Sequence, residues 1–393
     1  MNIESITNLS SATPPVASAP SARFTERSAL GGKVKKILFI HPNFPGQFRY
    51  LAEYCAASPW FEVDFITEAL PCGAPGIRMH RIVDNRSPRS ESTAKVLRAL
   101  KAAGYIPDLA VAHSGWGHDY YFRDIFPETS IISYPEWYHH EGDIRNEMLN
   151  VTLQNSDHVM VPTQYQKSRF PTRFHDKIRV IHEGVDVQYF SPATDVVFKY
   201  FEHEFKCGDE IITYAARGLE PVRGFPEFMR AIPSILNARP NVRVIIAGDQ
   251  QSCYGPAHPS GMSWRKVLED ELKLPLERVI FCGKVGEPYL LKIFQISSLH
   301  IYLSRPFILS WSILEAMSSG CLILGNSGYP LQEVLTDGYN GVVCELDNIS
   351  IAETAIRILE SPGKFQHCRV QAREFAKKNY CSEKCVQNQL QLF

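Results

Sequence analysis

Short apolar runs of strand length recur along this chain, each followed by a loop and a segment of helical spacing, and the whole series occurs twice. The first series opens in "KVKKILFIHPNFPGQFRYLAEYCA", where basic residues give way to a continuous apolar run, with a strand expected over 34–40, then to a proline and glycine turn, then to helical periodicity. A strand apolar at every position is buried on both faces, as in a parallel sheet covered by helices. Further strands are expected at "FEVDFIT", "DLAVAHS", "SIISYPE", "HVMVPT" and "IRVIHEG". After "GVDVQYFSPATD" the pattern restarts with "EIITYAARG", "VRVIIAGD", "RVIFCGKV", "LHIYLSR", "CLILGNSG" and "GVVCEL". Strands alternating with helices through both halves predict an α/β protein of two Rossmann-like domains. The expected division is a tail over 1–32, one domain over 33–195, a second over 196–375 and a C-terminal helical segment over 376–393. Ligands of such sheets bind outside the carboxyl ends of the strands, which between two such domains means the intervening cleft.

Composition narrows the functional classes. Lys plus Arg total 41 against 42 Asp plus Glu, a formal charge of -1, so no global basic field invites nucleic acid. The ten cysteines sit mostly in apolar stretches, and their spacing makes neither a disulfide framework nor a zinc pattern, which fits reduced thiols and a cytoplasmic protein. Cys381 and Cys385 suit one helix face better than a ligand pair. No run reaches the length of a membrane helix, and residues 1–32, with "SSATPPVASAPSA", lack any burial period and read as a disordered tail.

Three stretches carry chemistry. In "YAARGLEPVRGFPEFMRAI", Arg217 ends a strand, Arg223 follows a tight proline turn and Gly224 precedes a helix. Two guanidiniums at a strand's carboxyl end suit a diphosphate, although two solvated surface arginines would read the same way. In "SRPFILSWSILEAMSSGCLIL", Pro306 stops a strand and Ser310 is placed to cap a helix whose first amides, around Trp311 and Ser312, would hold a phosphate. Glu315 lies one to two turns on, where it either accepts hydrogen bonds from sugar hydroxyls or is satisfied by backbone amides. The third stretch, "GNSGYPLQEVLTDGYNGVVCE", is a glycine-rich loop and turn. No G-x-G-x-x-G follows the first strand, which weakens a hydride-transfer reading.

In this order the pieces resemble the retaining glycosyltransferases of family 4, also called group 1, whose GT-B fold places two Rossmann-like domains across a cleft. Residues 217–224 resemble that family's arginine and lysine pair for the donor diphosphate, with Arg223 where lysine is usual. "SWSILEAMSSG" with "GYPLQEVLTDGYNG" resembles its donor-site helix and closing loop, and "PTQYQKSRFP" with "IHEGVDVQYFSP" its interdomain segment. The resemblance makes Glu315 the second glutamate of an E-x7-E motif, binding ribose, and puts the first at Phe307, a departure that touches donor-sugar recognition. Gly46 in "HPNFPGQF" resembles the acceptor-side glycine loop, and His113 the histidine facing the donor sugar, with His118 competing for that role. His139, His140 and Glu141 are consecutive and so do not converge on a metal; acceptor recognition or loop structure is expected of them.

The resemblance implies transfer of a hexosyl unit from a UDP- or GDP-linked sugar to a saccharide or lipid-linked acceptor hydroxyl, with retention and without a cofactor or metal. The chain contains no D-x-D. His113, Arg217 and Arg223 are the expected catalytic residues, Ser310, Trp311, Ser312 and Glu315 the donor-binding ones, and Gly46 the acceptor-side turn. The rivals are a nucleotide-sugar epimerase or hydrolase of similar fold, and a sugar-nucleotide-binding subunit that has lost catalysis. If Arg49, Lys167, Arg169 and Arg173 form one patch, it would give peripheral contact with an anionic membrane.

Overall fold

The run KKILFI, apolar after its first two residues, becomes strand β1 (Lys35–Ile40), an interior strand of a seven-stranded sheet. It is joined by β2 (Phe61–Thr67), β3 (Ile77–Arg81), β4 (Leu109–His113), β5 (Ser130–Tyr134), β6 (His158–Val161) and β7 (Ile178–Val180). The order is β3-β2-β1-β4-β5-β6-β7, and every neighbouring pair is parallel. Ile37 and Phe39 enter the core on one face and Leu38 and Ile40 that on the other, which is why the strand has no polar alternation. The coordinates are a computed structural model describing residues 34–70, 73–84 and 86–393. The expected tail over 1–32 lies outside the described residues.

The second series folds in the same way. After an antiparallel hairpin of β8 (Val197–Tyr200) and β9 (His203–Lys206) come β10 (Ile211–Gly218), β11 (Arg243–Asp249), β12 (Val279–Gly283), β13 (Leu299–Tyr302), β14 (Ile323–Asn326) and β15 (Val342–Cys344). These last six form a parallel sheet in the order β12-β11-β10-β13-β14-β15. Each sheet reverses its winding beside its first core strand, between β1 and β4 and between β10 and β13. Such a switch point opens a crevice at the strands' carboxyl ends.

The compact units are 34–184 with Ser382–Phe393, and Val185–Cys381. The C-terminal stretch is therefore shared. The helix Gln366–Tyr380 buries Ala372 and Ala376 in the second unit, whereas the helix Ser382–Leu390 puts Val386 and Leu390 against the first unit's core, beside the helix Arg49–Ala57. Cys381 sits between these helices and Cys385 within the second, so the two thiols do not share a helix face as their spacing suggests. Nine cysteines are described and all are free thiols. Among the described residues no helix is long and apolar enough to cross a membrane.

Candidate active site

At the switch point of the first sheet two buried imidazoles meet. His41 directly follows β1 and His113 ends β4; their ring centroids lie 4.7 Å apart, edge to face. His41 Nδ1 accepts the Asn43 amide at 2.9 Å and Nε2 donates to Gln47 Oε1 at 2.5 Å, which defines the neutral Nε2–H tautomer. Burial, with the nearby His113 adding to it, lowers the His41 pKa to about 3. Gln47 donates in turn to Glu136 Oε1, and Glu136 Oε2 lies 3.5 Å from His113 Nε2. Burial would raise the Glu136 carboxyl, but its hydrogen bonds from His113 and Gln47 hold it below the usual range. At 27% side-chain exposure, Glu136 is more open than His113, and its carboxylate can accept a hydrogen bond from a hydroxyl brought to the strand ends.

Gly46 belongs to this cluster through His41. Its φ is +54°, and a Cβ there would lie 2.3 Å from His41 Cε1, so glycine meets both a left-handed backbone and a close approach. His118 lies elsewhere in the unit, with Nδ1 2.8 Å from Thr93 Oγ1 and Nε2 3.4 Å from Glu68 Oε1. Of the two histidines, His113 is the one that joins the switch-point cluster. Beneath it, Asp119 is buried and accepts a hydrogen bond from Ser114 at 2.6 Å, while burial pushes its carboxyl up to about 6.

At the second sheet's switch point, Arg217 near the end of β10 reaches the Tyr254 hydroxyl at 3.5 Å. Arg223 is only 4% exposed, and its Nη1 donates to Tyr302 Oη at 3.2 Å, Ser304 Oγ at 3.1 Å and the Ile308 carbonyl at 2.9 Å. A buried guanidinium needs such partners, and here all three lie on the side of Nη1. Its Cζ lies over two rings, Tyr254 at 5.6 Å and Phe307 at 5.7 Å from the centroids, and those rings pack on each other at 5.1 Å. Tyr302 Oη also accepts the Ser310 amide at 3.0 Å, tying Arg223 to the start of the helix Trp311–Ser318.

That helix start is capped by the serine that the sequence places there. Ser310 caps it, accepting the Ser312 amide at 3.3 Å, and its own amide is spent on Tyr302, so the amides of Ser310 and Ser312 already have acceptors. A phosphate there would compete with the cap. Trp311 is 40% exposed at the first helical position, and Glu315 is partly buried between Leu314 and Ala316, which are fully buried.

The model of a "Glycosyl transferase family 4 group" matches residues 74–143 and 141–190, and that of "Glycosyl transferases group 1" matches 198–375. The chain belongs to the group 1 glycosyltransferases of family 4. Its fold is the two-domain GT-B type, shared with a glycosyltransferase from Rickettsia africae ESF-5 at TM-score 0.71 and 16% identity, over 92% of this chain and 98% of that one. A sucrose-phosphate synthase from Thermosynechococcus elongatus gives TM-score 0.71 and 18% identity over 91% and 98%. An Anabaena protein, HepE, in complex with UDP gives 0.68 and 15% over 91% and 98%. In sequence, the N-acetyl-alpha-D-glucosaminyl L-malate synthase of Bacillus anthracis is 30% identical over 111 residues, which span 28% of this chain and 29% of that curated relative.

In this group 1 glycosyltransferase two departures from the family pattern occur together. Phe307 replaces the glutamate and Arg223 the lysine that the resemblance leads one to expect, and the two side chains are neighbours. A guanidinium beside aromatic faces gains about 0.5–2 kcal/mol where an ammonium beside a carboxylate would have formed an ion pair. The sequence reading missed Glu220, which is fully buried and accepts the amides of Cys253 at 3.2 Å, Tyr254 at 3.1 Å and Gly255 at 2.6 Å. It also missed His41, Gln47 and Glu136. A glutamate between two arginines and a histidine directly after a buried strand are the signals that could have found Glu220 and His41.

Proposed function

We propose that this protein transfers a hexosyl unit from a nucleotide diphospho-sugar to an acceptor hydroxyl on a saccharide or lipid-linked saccharide, with retained anomeric configuration, in the cytoplasm. The observation that carries the reading is the pairing of Arg217 with the buried Arg223 at the carboxyl end of β10, with Tyr302 and Ser304 fixing Arg223. Negative charge grows on the leaving diphosphate as the glycosidic bond breaks, and fixed guanidiniums stabilise it without reorganising. UDP is the preferred donor nucleotide, in keeping with the HepE complexes with UDP and UDP-glucose. His113 would face the donor sugar, with Glu136 beside it toward the acceptor hydroxyl.

Calorimetric titration with UDP, GDP and ADP tests the donor site. UDP should bind, Arg223→Ala should weaken it mainly through the diphosphate, and Glu315→Ala mainly through the ribose. Equal affinity in both variants would remove the donor-site assignment. Turnover should persist in EDTA, and proton NMR of the product should show the donor's anomeric configuration. Phe307 favours a second reading, a sugar-nucleotide-binding subunit without catalysis, because its ring cannot accept a hydroxyl proton. Tight UDP binding with no turnover across a panel of acceptors would select it.

A further inference from the structure

The loop leaving β5 runs from Glu136 into the wall of a cavity of about 390 Å³, large enough for a charged group and a sugar ring together. Tyr138, His139 and Glu141 line one side, and Arg169 and Arg173 the other. The two walls are braced by amide side chains. Asn146 bonds the backbone of His139 and His140, Asn150 accepts from both Tyr138 Oη at 2.9 Å and Arg173 Nη2 at 3.2 Å, and Gln166 donates to the Glu136 carbonyl at 2.7 Å. The cavity is therefore preformed.

Its charge is not balanced. Arg173 pairs with Glu141 at 3.1 Å, whereas among the described residues no carboxylate lies within ion-pair distance of Arg169, whose guanidinium sits 5.7 Å from the Trp137 ring. Lys167, the other cation of this stretch, turns away to the Ile178 carbonyl at 3.0 Å. One uncompensated guanidinium, held against an indole, thus faces a braced cavity of positive charge. Its planar fork matches phosphate oxygens. Two residues separate Glu136 from His139, so the Cα atoms of the two lie no more than about 11 Å apart, the span of a short saccharide.

We propose that this cavity binds a phosphate group carried by the sugar acceptor, with Arg169 as its principal contact. The word acceptor rests on the transfer reading above; the phosphate site itself does not. Inorganic phosphate is titrated calorimetrically into the full chain, its Arg169→Gln variant and its Arg217→Ala variant. Arg169→Gln should weaken binding at least about tenfold, as expected for losing a charge-assisted hydrogen bond, and Arg217→Ala, which alters the donor site, should leave the Arg169-dependent binding unchanged. Equal affinity in Arg169→Gln, or a loss confined to Arg217→Ala, would overturn the proposal. Arg169→Lys, which keeps the charge and loses the fork, should fall between the two.

UDP titration of Arg169→Gln separates this site from the donor reading. Its UDP affinity should match the unaltered chain, and if neither chain binds UDP the transfer reading fails while the phosphate result stands. Two further arms distinguish the source of the phosphate. Arg169-dependent binding of glucose 1-phosphate without vesicle sedimentation assigns a soluble phosphorylated acceptor. Arg169-dependent sedimentation with phosphatidylglycerol vesicles, absent with phosphatidylcholine, assigns a lipid-borne one.

Discussion

Gly46 shows how much one position constrains the first unit. A side chain there must adopt φ near +54° and must also displace the His41 ring, whose Cε1 would lie 2.3 Å from the new Cβ. His41 cannot yield freely, because it is buried, bonded at both nitrogens and packed edge-on against His113. Gly46→Ala is therefore expected to cost about 2–3 kcal/mol, the sum of backbone strain and displaced packing, and to lower turnover by moving Gln47 and with it Glu136. Urea unfolding measures the first effect, and unchanged stability would mean that the turn relaxes without moving His41. Gly46 and His113 were legible in the sequence because each stands in a recognisable setting, a glycine turn after a buried strand and a histidine at a strand end. Glu136 was not, since its role depends on Gln47, 89 residues away, being brought to it by the sheet.

At the scale of elements, the loop after β11 is held by a single buried side chain. Glu220 gathers the amides of residues 253–255, and so places Tyr254 against Arg217, Arg223 and Phe307. Removing the carboxylate leaves three amides without their acceptor and frees the loop, so Glu220→Ala should cost about 2–4 kcal/mol. Hydrogen exchange at 253–255 should accelerate far more than exchange in β10, and UDP affinity should fall although Glu220 need not touch the nucleotide. Unchanged exchange at these amides would show that the loop holds itself. The strands legible from sequence are those buried on both faces. β3, with the sequence IRMHR and a half-exposed edge position, offers no apolar run, and the hairpin of β8 and β9 alternates over only four residues in each strand. The helix Trp311–Ser318 was read correctly from its serine cap, but not that Tyr302 would take the Ser310 amide, because that contact joins it to a neighbouring strand.

For the whole molecule, the buried histidines are unevenly divided between the two units. His41 and His182 are lowered to about 3 and His118 to about 4 in the first unit, in each case chiefly by burial, while the second unit has His300, lowered to about 3 by burial. Each is neutral when folded and takes up a proton on unfolding near its ordinary value of 6.5, so the stability it represents is complete above that pH and is lost as the pH falls below it. Asp119 acts in the opposite sense. Its carboxyl is raised by burial to about 6 from 3.8, so acidification through that window favours the folded first unit and offsets one of the three histidines just named there. Below about pH 4 the balance tips further against the first unit. Asp64, Asp157 and Glu136 are held below the usual range despite burial, by His80 and Arg78, by Ile131 and Arg123, and by His113 and Gln47 respectively, and each loses that stabilisation on protonation. Between pH 6 and 4 the first unit should thus lose about 3 kcal/mol per pH unit and the second about half as much. Hydrogen exchange across an acid series should show 34–184 and 382–393 becoming unprotected together, at a higher pH than 185–381. Asp119→Asn should steepen the loss in the first unit alone, because it removes the one buried group there that opposes it, whereas simultaneous loss of both units would place the acid-sensitive charges outside these histidines.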